Sequence, residues 1–396
     1  MNDEATSTEP STKASGLAVA GLFFVNGLVF SNWIPRIPDV RDRLDMNNGG
    51  LGATLIGGGL GGIVGSLLVA RMLRRFGSRR LVLMAATTLA LLLPLVAVAP
   101  SPLALIAILT SLGFCDVFND MAMNTQGTIV QGRLSRSIMQ RLHGAWSLGA
   151  ACGAGTGALA SAYDVGVGFH LGAVAVLLLG VIALVRPHLV PSDPAAPPAG
   201  APSRTRSFSP IVAAMVVMAI GVAFAEASPS EWSAVTMRDL FSFKFSGVAT
   251  VVFASSMLIA RLFGDHVVER LGPQRMLDAA LGVAVIGFVI IVVAPVAAVA
   301  LIGFSICGFG VAVMFPQLYA MAATLPGAAT GAGLGAMGIG QRVGFMAAPL
   351  VVGTVANLRS LRWSFAVVVV IVLATILSAR TVLNGSIGHA RAEQAG

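Results

Sequence analysis

Arg74-Arg75-Phe76-Gly77-Ser78-Arg79-Arg80 follows one long apolar run, and Glu269-Arg270-Leu271-Gly272-Pro273-Gln274-Arg275 follows another. The two stretches are 269 − 74 = 195 residues apart, about half of the 396-residue chain. The same offset pairs Gly113-Phe114 with Gly308-Phe309, Leu148 with Val343, and Gly149 with Gly344. One unit is therefore written twice, each copy with a charged, glycine-containing hinge between its second and third apolar runs.

Composition says what those runs are. The chain is 56% hydrophobic and 11% charged, with a mean hydropathy of +0.87, outside the range of soluble domains. The runs are about 18–25 residues long, enough to cross ~30 Å of hydrocarbon as helix. A net charge of +8 invites a nucleic-acid reading, but the basic residues sit in short loops between apolar runs, the pattern of a membrane protein. No nucleic-acid partner is expected. Cys115, Cys152 and Cys307 lie inside apolar runs without metal-ligand spacing and read as small packing residues. The polar stretch Met1 to Ser15 lacks the basic start of a cleaved signal, so the first run is expected to be a retained helix.

Twelve spans are expected: 16–34, 49–71, 80–99, 102–128, 139–162, 166–186, 209–229, 245–263, 276–295, 297–322, 330–354 and 362–382. Arginines 71, 74, 75, 79 and 80, then 133, 136 and 141, then 186, 204 and 206 fall on one side if the spans alternate. That side is expected to be cytoplasmic and to hold both termini. The stretch Pro191-Ser-Asp-Pro-Ala-Ala-Pro-Pro-Ala-Gly-Ala-Pro202 suits a flexible connector rather than a membrane helix. The organisation is thus an N-terminal tail 1–15, a six-helix bundle 16–186, a linker 187–208, a second bundle 209–382 and a tail 383–396. Paired six-span halves with a site between them at mid-membrane are the layout of a secondary transporter.

The doubled loop, the 6+6 division and the central linker resemble the major facilitator superfamily over the whole chain. That family's loop runs roughly G-x-x-x-D-R-x-G-R-R. Here Ala70 and Arg74 replace its glycine and aspartate, while Arg75, Gly77, Arg79 and Arg80 match. The second copy keeps an acid, Glu269, with Arg270 and Gly272. Since the family's aspartate is thought to pair across the halves, the resemblance assigns more of the locking to the second copy. Asp116 to Asn124, Leu142 to Gly149, Glu231 to Asp239 and Phe315-Pro316 look like the bacterial YbjJ/MosC-type branch, a neighbour of the fucose permeases. The resemblance implies an all-α membrane protein of two pseudo-symmetric six-helix bundles working by alternating access.

Ionisable groups inside a membrane are costly, so each is a functional candidate. Asp116, Asp120 and Asn124 stand at i, i+4 and i+8 in the fourth span and drift only ~80° around the helix. Asn119 lies ~60° to the other side of Asp116. A carboxylate in a low-dielectric site is costly to leave ionised, and a second one nearby adds to that cost. Such a group suits proton carriage; the structural alternative is a fixed polar cluster tying the span to its neighbours. Glu226 near the outer end of the seventh span is a third proton candidate, expected to face Arg36 across the outer gate. Asn26, uncharged in the first span, is expected to contact solute, with Asn119, Asn124, Gln317, Tyr319, Gln341 and Arg342 as further solute-binding candidates. His143 is assigned to gating, with proton relay or packing as alternatives. Trp146, on the same face, offers a flat surface for a sugar-like ring or for ordinary packing. Trp33 and Trp232, at the outer ends of the first helix of each half, read by themselves as membrane-belt anchors.

Pro316 in the tenth span frees a carbonyl and is expected to act as a gate hinge. Gln317 and Tyr319 cannot share a face, so at most one lines a cavity. Gln341 and Arg342 lie among the glycines of span eleven, and Arg342 reads as the only cation so deep. It must find a carboxylate, a carbonyl or an anionic substrate, and a pairing with Asp116 or Asp120 across the halves would neutralise both charges. Arg75, Gly77, Glu269 and Arg270 complete the gating set. The glycines of spans two, five and eleven suit close helix packing, since no phosphate-loop lysine follows them.

The function expected is a proton-coupled secondary transporter of a small polar, sugar-like solute in the inner membrane. An exporter of amphipathic compounds predicts an apolar cavity, against the polar span four, and span five lacks the exporter proline. A sensor without transport is the alternative of another class. An enzyme is not expected, because no nucleophile–base pair or metal spacing occurs among the five histidines. No metal or cofactor is expected, the energy coming from a proton gradient. A monomer in the lipid bilayer, with solute and protons as partners, completes the reading.

Overall fold

The computed structural model describes residues 11–134, 138–191, 210–324 and 330–395, with the side chains of 140, 264–269, 273, 320, 323–324, 330–336 and 381–395 left undescribed. The helices are α1 Thr12–Trp33, α2 Ile37–Arg43, α3 Asn48–Leu92, α4 Leu95–Val98, α5 Pro102–Leu134, α6 Met139–Ala162 and α7 Val167–Val185. They continue as α8 Pro210–Phe241, α9 Val248–Leu271, α10 Pro273–Val293, α11 Ala297–Val311, α12 Met314–Thr324, α13 Thr330–Leu358 and α14 Leu361–Ala395. Nine described helical stretches are long and apolar enough to cross a membrane. One of them, Asn48–Val98, holds two of the expected spans, Val248–Phe263 is a shorter apolar helix, and the glycine-rich α6 accounts for the remaining span. The fold is all-α.

The basic stretch 71–80 is not an open loop. Its residues are helical on both sides of Gly77, whose φ of 70° and ψ of 161° fold α3 sharply at one point. Gly272 adopts φ 76° and ψ 161°, again 195 residues later. That backbone region is nearly exclusive to glycine, so both copies turn on the same residue for the same reason. A second contact repeats at the same offset. A Cβ on Gly113 would collide with the Gly58 carbonyl, and one on Gly308 would lie 2.6 Å from the Phe253 carbonyl. Lipid gives no hydrophobic drive for one helix to prefer another, so this close backbone approach and the dispersion contacts it permits hold the spans together.

Several expected boundaries move. Span seven was expected to end at residue 229, but α8 runs through Pro229 to Phe241. Trp232 is fully buried and Trp33 nearly so, hence neither is a lipid-facing belt anchor. Span ten is broken between α11 and α12 at residues 312–313, and Pro316 lies in the first turn of α12. A proline there cannot donate the bond that would bridge the break. The short helix α2 was not expected, and α14 continues through the segment read as a tail. The linker falls largely outside the described residues.

One end of the molecule is shut. Arg41 meets Asp239 at 2.6 Å, and Arg238 meets Asp39 at 2.5 Å and Asp42 at 3.0 Å, so α2 and the end of α8 hold each other by opposite charges. Next to them α3 and α13 touch at Gly52 and Gly353, and Ala158 of α6 lies against Gly247. Between described residues, every hydrogen bond or ion pair linking the halves lies at this end or at mid-depth. At the opposite end Arg71, Arg74, Arg75, Asp120 and His143 are exposed.

Candidate functional site

Asn26 of α1, Asp116 of α5 and Trp146 of α6 form one chain of hydrogen bonds. The Asn26 Nδ2 donates to Asp116 Oδ1 at 2.9 Å, and Trp146 Nε1 donates to Asn26 Oδ1 at 2.8 Å. Asn26 is buried and fixed by its two partners, while Asp116 and Trp146 are half-buried. The amide orients the carboxylate and leaves its second oxygen without a donor among the described residues. Such an atom can take a proton or a donor from a bound solute.

One turn along α5, Asp120 accepts from Asn124 Nδ2 at 3.0 Å and is exposed. His143 stands edge-on to Phe23, with ring centroids 5.3 Å apart, and lies within electrostatic range of Asp120. It thus joins the carboxylate pair. Asn119 does not: it is buried, and its Oδ1 has no partner among the described residues. The ~60° that separates it from Asp116 is enough to turn it into the helix packing.

The other wall comes from the second half. Tyr319 donates to Gln341 Oε1 at 2.9 Å, whereas Gln317 is buried, its Oε1 without a partner among the described residues. Arg342 does not pair with Asp116 or Asp120. Its Nη1 donates to the Gly62 carbonyl at 2.7 Å and to the Ser66 hydroxyl, both on α3 of the first half. Both aspartates remain within Coulombic range of it, beyond ion-pair distance. Nor is it the only membrane-embedded cation. Arg261 of α9 lies 3.7 Å from Glu226 and donates to the Ala312 carbonyl at the break between α11 and α12. That pair replaces the expected one between Glu226 and Arg36. Arg36 is instead buried beside Asp39 at 2.6 Å and donates to the Val165 carbonyl, because the chain turns into α2 just after it.

The remaining gating candidates lie apart from this site. Arg75 is exposed, its guanidinium 5.5 Å from the Phe76 ring centroid. Arg270 is exposed, and the side chain of Glu269 lies outside the described residues. Sequence reasoning missed Arg261, Ser66 and the charged cluster of Asp39, Arg41, Arg238 and Asp239. Arg261 stood close to an expected span end at 263, and the cluster lay beyond the expected spans. An i, i+3 pair such as Arg36 and Asp39 was the one available clue. Among the described residues no group of histidine, cysteine and acid could hold a metal.

The family profile of the Major Facilitator Superfamily matches residues 19–329 and again 233–391. An MFS-type transporter of Yersinia pestis is 30% identical over 370 residues, covering 91% of this chain and 94% of that one. The chain belongs to the major facilitator superfamily. It is a membrane transporter of that superfamily, not an enzyme. Membrane protein MosC of Rhizobium meliloti is 25% identical over 378 residues, 93% of this chain and 91% of the other. Among solved structures, a mutant of the nucleoside transporter NupG has a TM-score of 0.77 at 12% identity, covering 93% of this chain and 99% of its own. The E. coli fucose:proton symporter FucP has a TM-score of 0.61 at 13% identity, covering 94% and 99%. At such identities these two establish the shared superfamily fold and nothing finer.

Proposed function

We propose that this superfamily member is a proton-coupled secondary transporter of a small polar, sugar-like solute. The observation that carries the reading is the bonded set Asp116, Asn26 and Trp146. It links a half-buried carboxylate, whose second oxygen has no donor among the described residues, through an amide to the N–H of a half-buried indole. Ionised, such a carboxylate is penalised by desolvation; protonated, it is not, so solute and proton can share one site. The structural neighbours NupG, a nucleoside transporter, and FucP, a fucose:proton symporter, support a small polar solute. Residues 16–186 and 209–382 act as two rocking bundles joined by the 187–208 linker, as a monomer in the bacterial inner membrane. With both termini cytoplasmic, the closed end is the outer one and the arrangement faces inward. Glu226 is held by Arg261 and serves the structure of the second bundle more than proton transfer.

The test is uptake into proteoliposomes with and without an imposed pH gradient. The solute is one found by thermal stabilisation of the purified protein over sugars, nucleosides, amino acids and organic acids. Wild type is expected to accumulate it only with the gradient, and Asp116→Asn to equilibrate it without accumulation. Identical gradient-driven accumulation by both proteins would refute the role of Asp116.

A further inference from the structure

Arg342 is compensated differently from the other membrane-embedded arginine. Arg261 has a carboxylate, Glu226, at 3.7 Å. Among the described residues, Arg342 has no acid within ion-pair distance; its partners are a carbonyl and a hydroxyl, both neutral and both on Nη1. The Ser66 hydroxyl itself donates to the Gly62 carbonyl at 2.5 Å, which fixes these two acceptors as one unit. Neutral acceptors orient a guanidinium without cancelling its charge, and an uncancelled charge at membrane depth is costly. Nη2 and Nε take no described acceptor, and neither is enclosed. They form the planar edge of two N–H groups that matches a carboxylate. On the adjacent residue the Gln341 amide has its oxygen engaged by Tyr319, and its NH2 donates to no described acceptor. This wall therefore offers donors, whereas the facing wall offers the acceptors Asp116 and Asp120.

We infer that Arg342 docks an anionic group of the solute, which makes the solute a hydroxylated carboxylic acid rather than a neutral sugar. The carboxylate lies on the free edge of Arg342, and the hydroxyls donate to Asp116 and Asp120. Resting on the transporter reading above, this names its substrate class. The solute carboxylate gives Arg342 the directly bonded anion that it lacks among the described residues, so the solute completes the site electrostatically.

Three matched pairs test the inference by thermal-shift titration of the whole purified protein: gluconate against glucose, galacturonate against galactose, and glycerate against glycerol. At least one acid is expected to stabilise more than its neutral partner. Arg342→Gln is expected to weaken that acid by about tenfold or more, the scale of a charge-assisted hydrogen bond, and to leave neutral compounds unchanged. Arg342→Lys, which keeps the charge, should preserve the order of acid over neutral at reduced affinity. If Arg342→Gln does not fold, the wild-type and Arg342→Lys rankings decide alone. No acid binding better than its neutral partner in any of the three pairs, no response to any of the three acids, or full affinity in Arg342→Gln overturns the inference. Neutral sugars that bind and are accumulated through Asp116 would overturn it while leaving the transporter reading intact.

Discussion

Replacing Arg238 with glutamine removes two of the ion pairs that close one end of the molecule. Its guanidinium meets Asp39 at 2.5 Å and Asp42 at 3.0 Å, with side-chain exposures of 28%, 20% and 51% for Arg238, Asp39 and Asp42. Such partly wet pairs contribute roughly 0.2–1 kcal/mol each, the more exposed one at the low end. Neither acid is stranded by the change, because Asp39 keeps Arg36 at 2.6 Å and Asp42 keeps Arg41 at 2.8 Å. The closed arrangement should therefore lose about 1 kcal/mol, roughly a fivefold shift toward opening. Adding Arg41→Gln removes the drier pair with Asp239 and should bring the total to roughly 2 kcal/mol, about thirtyfold. Spin labels on the exposed Tyr163 and Lys244, either side of the seam between α6 and α9, would report the change by distance measurement. Cys115, Cys152 and Cys307 are free thiols and need replacing first. A longer-distance population should grow from wild type to Arg238→Gln to the double variant, and salt should mimic the effect in wild type. A double variant with the wild-type distribution at low salt would refute the reasoning. It would show that the apolar seam at Gly52, Gly353 and Ala158 closes this end without the charges.

The remaining predictions concern the hinge and the packing, beside those already stated for Asp116 and Arg342. Gly77→Ala and Gly272→Ala should each lower stability by roughly 1–3 kcal/mol, because both glycines hold a positive φ with an extended ψ; equal falls in thermal midpoint are expected, and an unchanged midpoint for either would count against the shared hinge. Gln126 donates to Ser78 at 2.8 Å and to the Val190 carbonyl at 2.9 Å, and accepts from the Val190 amide at 3.1 Å. Gln126→Leu should cost about 3 kcal/mol, since it strands a buried amide and carbonyl; this is read as lost thermal stability with solute affinity retained in the surviving fold.

The polar candidates of the site were legible one at a time, and their partnerships were not. Asn26 and Asp116 stand 90 residues apart, and no periodicity within either helix says that the amide of one meets the carboxylate of the other. Arg342 was legible as a charge needing compensation. Of the partners its charge allowed, the structure supplies a carbonyl and a hydroxyl, from Gly62 and Ser66, rather than an aspartate. Arg261 and Gln126 escaped notice for one shared reason. The expected spans stopped at 263 and 128, whereas α9 and α5 run on to Leu271 and Leu134. Hydropathy marks where a chain meets lipid, and a helix that continues into water or into protein leaves no such mark.

By itself the sequence determined the membrane class and the doubled unit, and its resemblance to known transporters pointed to the superfamily. The first two rest on the chain's own residues: apolar runs matched to bilayer thickness, and a glycine where the backbone needs an angle other residues avoid. The tertiary structure alone decided which end is shut and which charges face each other. Opposite charges bind at a few ångströms, and only the packing of two distant halves sets those distances. The 195-residue repeat thus fixes the frame and its hinges. The pairing of Arg238 with Asp39, and of Arg342 with neutral partners, belongs to the folded assembly.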